Sequence, residues 1–270
     1  MTQINTVSFP GLGIGPLNIK ETVEVFGFNI HLYGLIIGIG ILLAYAFALK
    51  TCHKHNLTKD NVTDILLYGL PSSIVCARLY YVIFEIEQFD SFIEMLQIWN
   101  GGIAIYGAVI GAVISTYIYC RVKKINVLSA FDIGAYGLLI GQICGRWGNF
   151  VNAEAYGAPT TLPWRMEFTN ISTEIAFHPT FLYESLWNLG VFIILLMRRD
   201  KRTFEGEIFF GYITLYGLGR FWIEGLRMDS LYLGPVRISQ LVALGCVIAG
   251  ATVIAVKRNK LKKQQSNEEN

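Results

Sequence analysis

Seven apolar stretches recur along the 270-residue chain, and short polar segments separate them. Each is close to the roughly 20 residues that an α-helix needs to cross a bilayer core of about 30 Å. The pattern therefore predicts an all-α polytopic membrane protein with seven transmembrane helices. Their predicted limits are Ile30–Leu49, Val62–Phe84, Gly102–Cys120, Val127–Gly145, Pro179–Met197, Ile208–Gly225 and Ile238–Val256.

Lysine and arginine are concentrated on one side of this predicted array. Fifteen of the 22 lie in segments on the same side as the C-terminus, and five lie in segments on the other side. Because positive loops stay in the cytoplasm, we expect an external N-terminus and a cytoplasmic C-terminus. The predicted parts are an external N-terminal segment (1–29), in which GLGIG at 11–15 is expected to be flexible, a seven-helix transmembrane domain (30–256) with a small external head (146–177), and a basic cytoplasmic tail (257–270).

The composition also indicates a membrane protein, and it argues against nucleic-acid binding, a disulfide framework and a zinc site. Charged residues make up 16% of the chain, whereas soluble domains carry about 25%. The net charge of +2 gives no basis for binding nucleic acid. Five cysteines with no CxxC pair indicate neither a disulfide framework nor a zinc site, and we expect no cofactor.

A polar stripe runs along the sixth predicted span. Tyr216, Arg220, Glu224 and Arg227 share one helix face at about 100° per residue. Charges within a span are costly, so such a stripe should face a protein interior or a wet cavity and suggests a functional site. The alternative is an Arg220–Glu224 pair that only joins helices.

The segment GRWGNFVNAEAYG, residues 145–157, closes the fourth predicted span. Gln142, Arg146 and Asn149 share a helix face at its outer end, and Arg220 lies toward the outer end of the sixth span. We expect the two guanidinium groups to meet at the outer leaflet and bind a lipid phosphate, since arginine forms paired, directed bonds with phosphate. The alternative is an interfacial arginine that reaches toward water. The polar neighbours that can hydrogen bond to the arginines or to a headgroup are Asn149, Asn152 and Glu154.

Other polar residues lie at the outer ends of spans. In HPTFLYES, His178 lies at the mouth of the fifth span and Glu184 lies inside it; a lone histidine is either catalytic or, more commonly, structural. Tyr33, at the outer end of the first span, is either an interfacial aromatic residue or a site hydroxyl. Glycines at every fourth position of the fourth span favour close helix packing; they are Gly137, Gly141 and Gly145.

GRWGNFVNAEAYG strongly resembles the signature of the prolipoprotein diacylglyceryl transferases, G-R-x-G-N-F-x-N-x-E-x-x-G. The likeness continues in family order over nearly the whole chain, through HPTFLYES and GRFWIEGLRMD. It implies a bacterial cytoplasmic (inner) membrane enzyme that catalyses the first step of lipoprotein maturation. Its substrates would be phosphatidylglycerol and the lipobox cysteine thiol of a prolipoprotein signal peptide. The diacylglyceryl group is transferred, a thioether forms and glycerol 1-phosphate leaves.

The resemblance also implies roles for individual residues. Arg146 resembles the arginine that binds phosphatidylglycerol, and Arg220 its partner on the phosphate or the thiolate. The catalytic set implied in this way is Arg220, Glu224, Glu154, Asn149, Tyr33 and His178. The implied lipid-binding set is Arg146, Arg220, Asn149, Asn152 and Gly157.

One departure from the family pattern affects the proton transfer. Many members have His-Gly-Gly in the third span, where this chain has Tyr106-Gly107-Ala108. Tyrosine, with a pKa of about 10, is a poor base at neutral pH. Either His178 or Glu154 takes the thiol proton, or the arginines lower the thiol pKa without a side-chain base; we favour the last. The competing functions are a transporter for an anionic lipid or metabolite and a non-catalytic membrane scaffold.

Overall fold

The structure, a computed structural model, describes residues 4–25, 27–168, 175–228, 230 and 232–268. Each of the seven predicted spans is helical in it, and the protein is mostly helical. The helices are α1 (Leu32–Thr51), α2 (Lys59–Phe84), the short α3 (Phe92–Leu96), α4 (Ile105–Lys123), α5 (Val127–Val151), α6 (Thr180–Arg198), α7 (Glu207–Glu224) and α8 (Ile238–Glu268).

Six helices in the described part of the chain are long and apolar enough to cross a membrane; they are α1, α2, α4, α5, α6 and α8. Helix α7 is not among the six because its 18 residues include Glu207, Arg220 and Glu224. Helix α8 continues through the basic tail as far as Glu268.

The chain divides into two compact units, residues 45–133 and residues 1–44 with 134–270. In the first unit, α2 packs on α4 because the α4 glycines let the backbones meet: a Cβ at Gly111 would lie 2.5 Å from the Ser72 carbonyl oxygen. Arg78, inside α2, donates hydrogen bonds to the backbone carbonyls of Gly102 at 2.8 Å and Glu94 at 2.7 Å. It thereby orders the loop between α2 and α4.

In the second unit, the α5 glycines face α1. A Cβ on Gly145 would lie 3.4 Å from Ile37 Cδ1, and one on Gly137 would lie 3.8 Å from Ala44 Cβ. At both positions an added Cβ would make only ordinary van der Waals contact, and at Gly141 it would meet none of the described neighbours within 4 Å. Helix α5 therefore lies beside α1, but this contact does not require glycine at these positions.

The prediction that residues 11–15 form a flexible segment is wrong, because Pro10–Leu12 form a 3-10 turn and a strand begins at Ile14. Strands β1 (Ile4–Phe9) and β2 (Ile14–Lys20) pair antiparallel, and β1 also pairs with β5 (Glu167–Phe168) from the predicted head. Strands β3 (Thr22–Val25) and β4 (Phe28–His31) form a separate hairpin. The core beneath the first sheet comprises Val7, Met166, Phe168, Phe177 and Phe181.

The end of α7 also differs from the prediction. The helix ends at Glu224, so Arg227 does not continue its polar face. Arg227 instead forms an antiparallel backbone bridge with Gly157. A short hairpin of β6 (Tyr232–Leu233) and β7 (Val236–Arg237) then leads into α8.

Candidate active site

The carboxylate of Glu184 binds two arginines from two different helices. Its Oε1 accepts a hydrogen bond from Arg146 Nη2 at 2.5 Å, and its Oε2 accepts one from Arg220 Nη1 at 3.1 Å. The Glu184 side chain is 2% exposed, and each arginine side chain is 19% exposed. The structure therefore brings Arg146 of α5 and Arg220 of α7 together, through a residue of α6.

A second carboxylate completes this charged cluster. Arg220 Nη2 lies 2.6 Å from Glu224 Oε2, one turn further along α7. The backbone carbonyl of Glu224 accepts a hydrogen bond from Arg237, which fixes the end of α7 to the start of α8. Two guanidiniums and two carboxylates compensate each other, as buried charges require.

Local packing explains why α6 approaches α7 at this level. Gly219, the neighbour of Arg220, leaves room for the Trp187 indole: a Cβ there would overlap the ring. Trp187 Nε1 in turn donates a hydrogen bond to the Leu215 carbonyl at 2.9 Å. Because Trp187 lies one turn after Glu184, this contact holds the carboxylate beside Arg220.

An amide chain leads from the buried cluster to the surface. Arg146 Nη1 donates to Asn149 Oδ1 at 3.1 Å, and Asn149 Nδ2 donates to Glu154 Oε1 at 2.9 Å. Asn152 Nδ2 donates to the same Glu154 oxygen at 3.5 Å. Glu154 is exposed, so these residues connect Arg146 with the protein surface, and the expected hydrogen bond of Asn149 to an arginine is present.

The backbone around Glu154 is strained. Ala153 has φ of 50° and Ala155 has φ of 56°, in a left-handed region that costs a residue with a Cβ roughly 1–2 kcal/mol. Thr180 Oγ1 donates to the Ala155 carbonyl at 2.5 Å, and Glu154 N donates to the Asn149 carbonyl at 3.0 Å. These bonds hold a conformation that two alanines do not favour, which is common at functional sites.

Gly157 lies where three segments meet. A Cβ at this position would be 2.7 Å from His178 Cβ, 2.8 Å from Thr180 Cγ2 and 3.0 Å from the Leu226 carbonyl oxygen. Its own N–H donates to the His178 carbonyl at 2.9 Å. The structure thus gives Gly157 a steric role in joining the head to the starts of two segments, α6 and the chain after α7.

His178 belongs to a hydrogen-bonded group at the junction between the head and α6. Its Nδ1 lies 3.2 Å from the Tyr183 hydroxyl, which also accepts a bond from Trp164 Nε1 at 2.7 Å. Burial lowers the pKa of His178 below its ordinary value, which favours the neutral ring. The hydrogen bond of the ring is to Tyr183 rather than to the arginine cluster.

The two tyrosines considered from the sequence have different surroundings. The Tyr33 ring packs on Gly148 of α5, where a Cβ would lie 2.6 Å from Tyr33 Cδ2. Tyr33 is close enough to Glu154 and Arg146 to interact with them electrostatically, and it is 36% exposed. Tyr106 is 51% exposed and lies near Tyr80 in the other compact unit.

The central role of Glu184 is absent from the predicted catalytic and lipid-binding sets. The sequence signal was a carboxylate within an apolar span, three residues before Trp187. Gln142 was expected to share the face of Arg146, and its Nε2 donates to the Tyr212 hydroxyl at 2.8 Å, which extends the polar contacts between α5 and α7. Among the described residues, no group of three or more His, Cys, Asp or Glu side chains is arranged to hold a metal ion.

Three known proteins with similar sequences carry the same name. The phosphatidylglycerol–prolipoprotein diacylglyceryl transferase of Finegoldia magna is 43% identical over 243 residues, which is 89% of this chain and 96% of the relative. The protein of the same name from Clostridioides difficile is 42% identical over 246 residues, covering 89% and 97%. That of Lysinibacillus sphaericus is 42% identical over 276 residues, covering 97% and 95%.

The family model described as prolipoprotein diacylglyceryl transferase matches residues 20–256. This range includes the Arg146–Glu184–Arg220 cluster, the Asn149–Glu154 chain and Gly157. The match covers most of the chain, and the relatives are similar over nearly their full lengths. The chain therefore belongs to the prolipoprotein diacylglyceryl transferase family.

Proposed function

We propose that this protein transfers the diacylglyceryl group of phosphatidylglycerol to the lipobox cysteine thiol of a prolipoprotein signal peptide. The C–S bond of a thioether forms, the C–O bond to the phosphate breaks, and glycerol 1-phosphate leaves. The observation that carries the proposal is the convergence of Arg146 and Arg220 on one buried carboxylate. Family membership and the names of the relatives support it.

The two arginines suit the binding of a lipid phosphate. A guanidinium has five N–H donors. Arg146 uses its two Nη atoms to contact Asn149 and Glu184, and Arg220 uses its two Nη atoms to contact Glu184 and Glu224. Donors therefore remain on both groups for phosphate oxygens. The leaving phosphate gains charge as the C–O bond breaks, and fixed donors in a site of low dielectric constant stabilise that charge.

The fate of the thiol proton has three candidate explanations. Free cysteine has a pKa near 8.5, so only a small fraction is thiolate at neutral pH. Glu154, exposed at the end of the amide chain, and the neutral His178 are candidate bases. We favour the third explanation, in which the field of Arg146 and Arg220 lowers the thiol pKa, because those charges lie where the phosphate must also bind.

We further propose seven transmembrane spans, with α7 as the sixth in chain order. Compensation of Arg220 by Glu184 and Glu224 removes much of the cost of placing these charges in a membrane. The lysine and arginine distribution supports an external N-terminus and head and a cytoplasmic C-terminus. In this orientation the arginine cluster lies toward the outer leaflet of the bacterial inner membrane.

The test is transfer by the purified protein in detergent, with phosphatidylglycerol and a lipobox peptide. We expect the peptide mass to increase by one diacylglyceryl group. A peptide whose lipobox cysteine is replaced by serine is the matched control and should gain no mass. A transporter or a scaffold would leave both peptides unchanged, and that result would refute the proposed function.

The variant Arg220→Lys sharpens this test. Lysine keeps the positive charge but lacks the planar fork of donors that arginine offers to a phosphate and a carboxylate together. We expect a large loss of transfer although the net charge is unchanged. Full activity of this variant would show that charge alone is sufficient and would contradict the proposed geometry.

A further inference from the structure

The hairpin formed by β3 and β4 stands apart from the first sheet. Its two strands pair only with each other among the described residues, with Val23 opposite Ile30 and Glu24 opposite Asn29. Residues on both of its faces are exposed. A two-stranded hairpin is at best marginally stable in water without a surface to pack against, so this one requires a partner.

The two faces of this hairpin differ in polarity. Paired residues project to the same side, and successive residues alternate between sides. One face therefore carries Val23, Ile30 and Phe28, which are 41%, 40% and 74% exposed. The opposite face carries Glu24 and Asn29. An exposed apolar face beside a charged one is typical of an element at an interface between water and an apolar phase.

The connection to α1 fixes where the hairpin lies. Strand β4 ends at His31, and α1, one of the helices long and apolar enough to cross a membrane, begins at Leu32. Leu32 N also donates a hydrogen bond to the Glu21 carbonyl at 2.8 Å, so the base of the hairpin is attached to the first turn of the helix. Four residues of strand span roughly 13 Å, which keeps the whole hairpin near the end of α1.

We propose that the face formed by Val23, Phe28 and Ile30 rests in the interfacial region of the lipid bilayer, at the N-terminal end of α1. Glu24 and Asn29 then face water. The lipid covers the apolar face that the described protein leaves exposed, and the hairpin acts as an amphipathic anchor next to the membrane-crossing helix. The proposal depends on α1 crossing the membrane and is independent of the transferase activity.

The experiment places a nitroxide spin label on each face in proteoliposomes of phosphatidylglycerol and phosphatidylethanolamine. In a background with the five native cysteines replaced, Phe28→Cys and Ile30→Cys report on the apolar face. Asn29→Cys and Glu24→Cys are matched controls on the other face. Collision with oxygen, which concentrates in lipid, is compared with collision with a water-soluble nickel chelate. Each protein must keep the circular dichroism and thermal unfolding of its cysteine-free parent.

We expect the labels at 28 and 30 to collide several-fold more with oxygen than with the nickel chelate, and the labels at 29 and 24 to show the reverse. Equal access of the chelate to all four positions would place the hairpin in water and overturn the proposal. Shielding of positions 28 and 30 from both reagents would indicate a protein partner, such as a second copy of the chain, and would also overturn it.

Discussion

At the scale of single residues, Glu184 determines how the two arginines are arranged. Each of its oxygens serves one guanidinium, so its charge is shared between α5 and α7. Loss of one partner from a buried ion pair leaves an uncompensated charge and costs about 3–5 kcal/mol. Glu184 is therefore both the structural centre of the cluster and the residue whose substitution most directly tests it.

We predict that Glu184→Gln lowers thermal stability in detergent and reduces transferase activity at least tenfold, a loss that corresponds to about 1.4 kcal/mol or more in the barrier. The amide keeps the side-chain size but removes the charge that both arginines share. Unfolding temperature and peptide mass shift are the measurements. Glu87→Gln, at an exposed loop position, should behave like the unsubstituted protein. Unchanged activity of Glu184→Gln would show that the cluster is not part of the site.

A second prediction concerns Tyr106, the residue that departs from the family pattern expected from the resemblance. Tyr106→Phe should keep most of the activity, because a phenol with a pKa of about 10 is a poor base at neutral pH. Arg220→Ala should abolish it, since the guanidinium and its two carboxylate contacts disappear. Both variants are assayed by peptide mass shift at matched protein levels. Equal loss from the two would contradict this ranking.

Gly157 gives a third prediction. Gly157→Ala should destabilise the protein by about 1–3 kcal/mol, the usual cost of overpacking, because the added methyl overlaps His178 and Thr180. Gly190→Ala, within α6, is the matched control: its added Cβ meets none of the described neighbours within 4 Å, and stability should be equal or greater. If the two variants unfold at the same temperature, the close approach at Gly157 does not contribute to the stability of the protein.

Part of this site is predictable from the sequence because helix periodicity depends only on residues close together in the chain. The spacing of Gln142, Arg146 and Asn149 predicts a shared helix face, and in the structure Arg146 and Arg220 meet through the carboxylate of Glu184. The role of Glu184 depends on how α6 crosses α5 and α7, which no single segment encodes. Arg227 was wrongly expected on the face of this helix, although the helix ends at Glu224 and Gly225, a residue type common at helix ends, follows directly.

At the scale of secondary-structure elements, the long helices were predictable and the short strands were not. Twenty apolar residues in a row have few alternatives in a membrane. Strand β1, by contrast, pairs with β5 through Ser8 and Glu167, which lie far apart in the sequence. The glycines at 11, 13 and 15 indicated a flexible segment, although they connect or belong to the two strands, and Val7 of β1 is fully buried.

The junction between the head and α6 should respond to pH through His178. Burial lowers its pKa, so the folded protein resists protonation of this ring more than the unfolded chain does. The neutral ring is favourable above the unfolded pKa of about 6.5, and stability falls as the pH drops below that value toward the lower folded pKa.

We therefore predict that the unfolding temperature decreases between pH 7 and pH 5, and that His178→Gln makes this decrease smaller. Differential scanning fluorimetry across that range is the measurement. His53→Gln, at an exposed position, is the control and should retain the original slope. An unaltered slope in His178→Gln would assign the pH response to other groups.

At the scale of the whole molecule, the proposed orientation is testable by cysteine labelling. In a background without native cysteines, Thr161→Cys in the head should react with a membrane-impermeant maleimide added to intact spheroplasts. Asn267→Cys, near the end of α8, should react only after the membrane is broken. Both positions are exposed in the structure, so access to the reagent depends on the membrane. Labelling of Asn267→Cys in intact cells would reverse the topology.

The bridging carboxylate also bears on turnover. After transfer, glycerol 1-phosphate no longer carries the acyl chains that hold the substrate in the bilayer, and only its polar contacts keep it in place. Glu184 already occupies one nitrogen of each guanidinium, so the product is held only through the donors that remain. The residue that preassembles the arginines would thus also limit the affinity of the site for the water-soluble product.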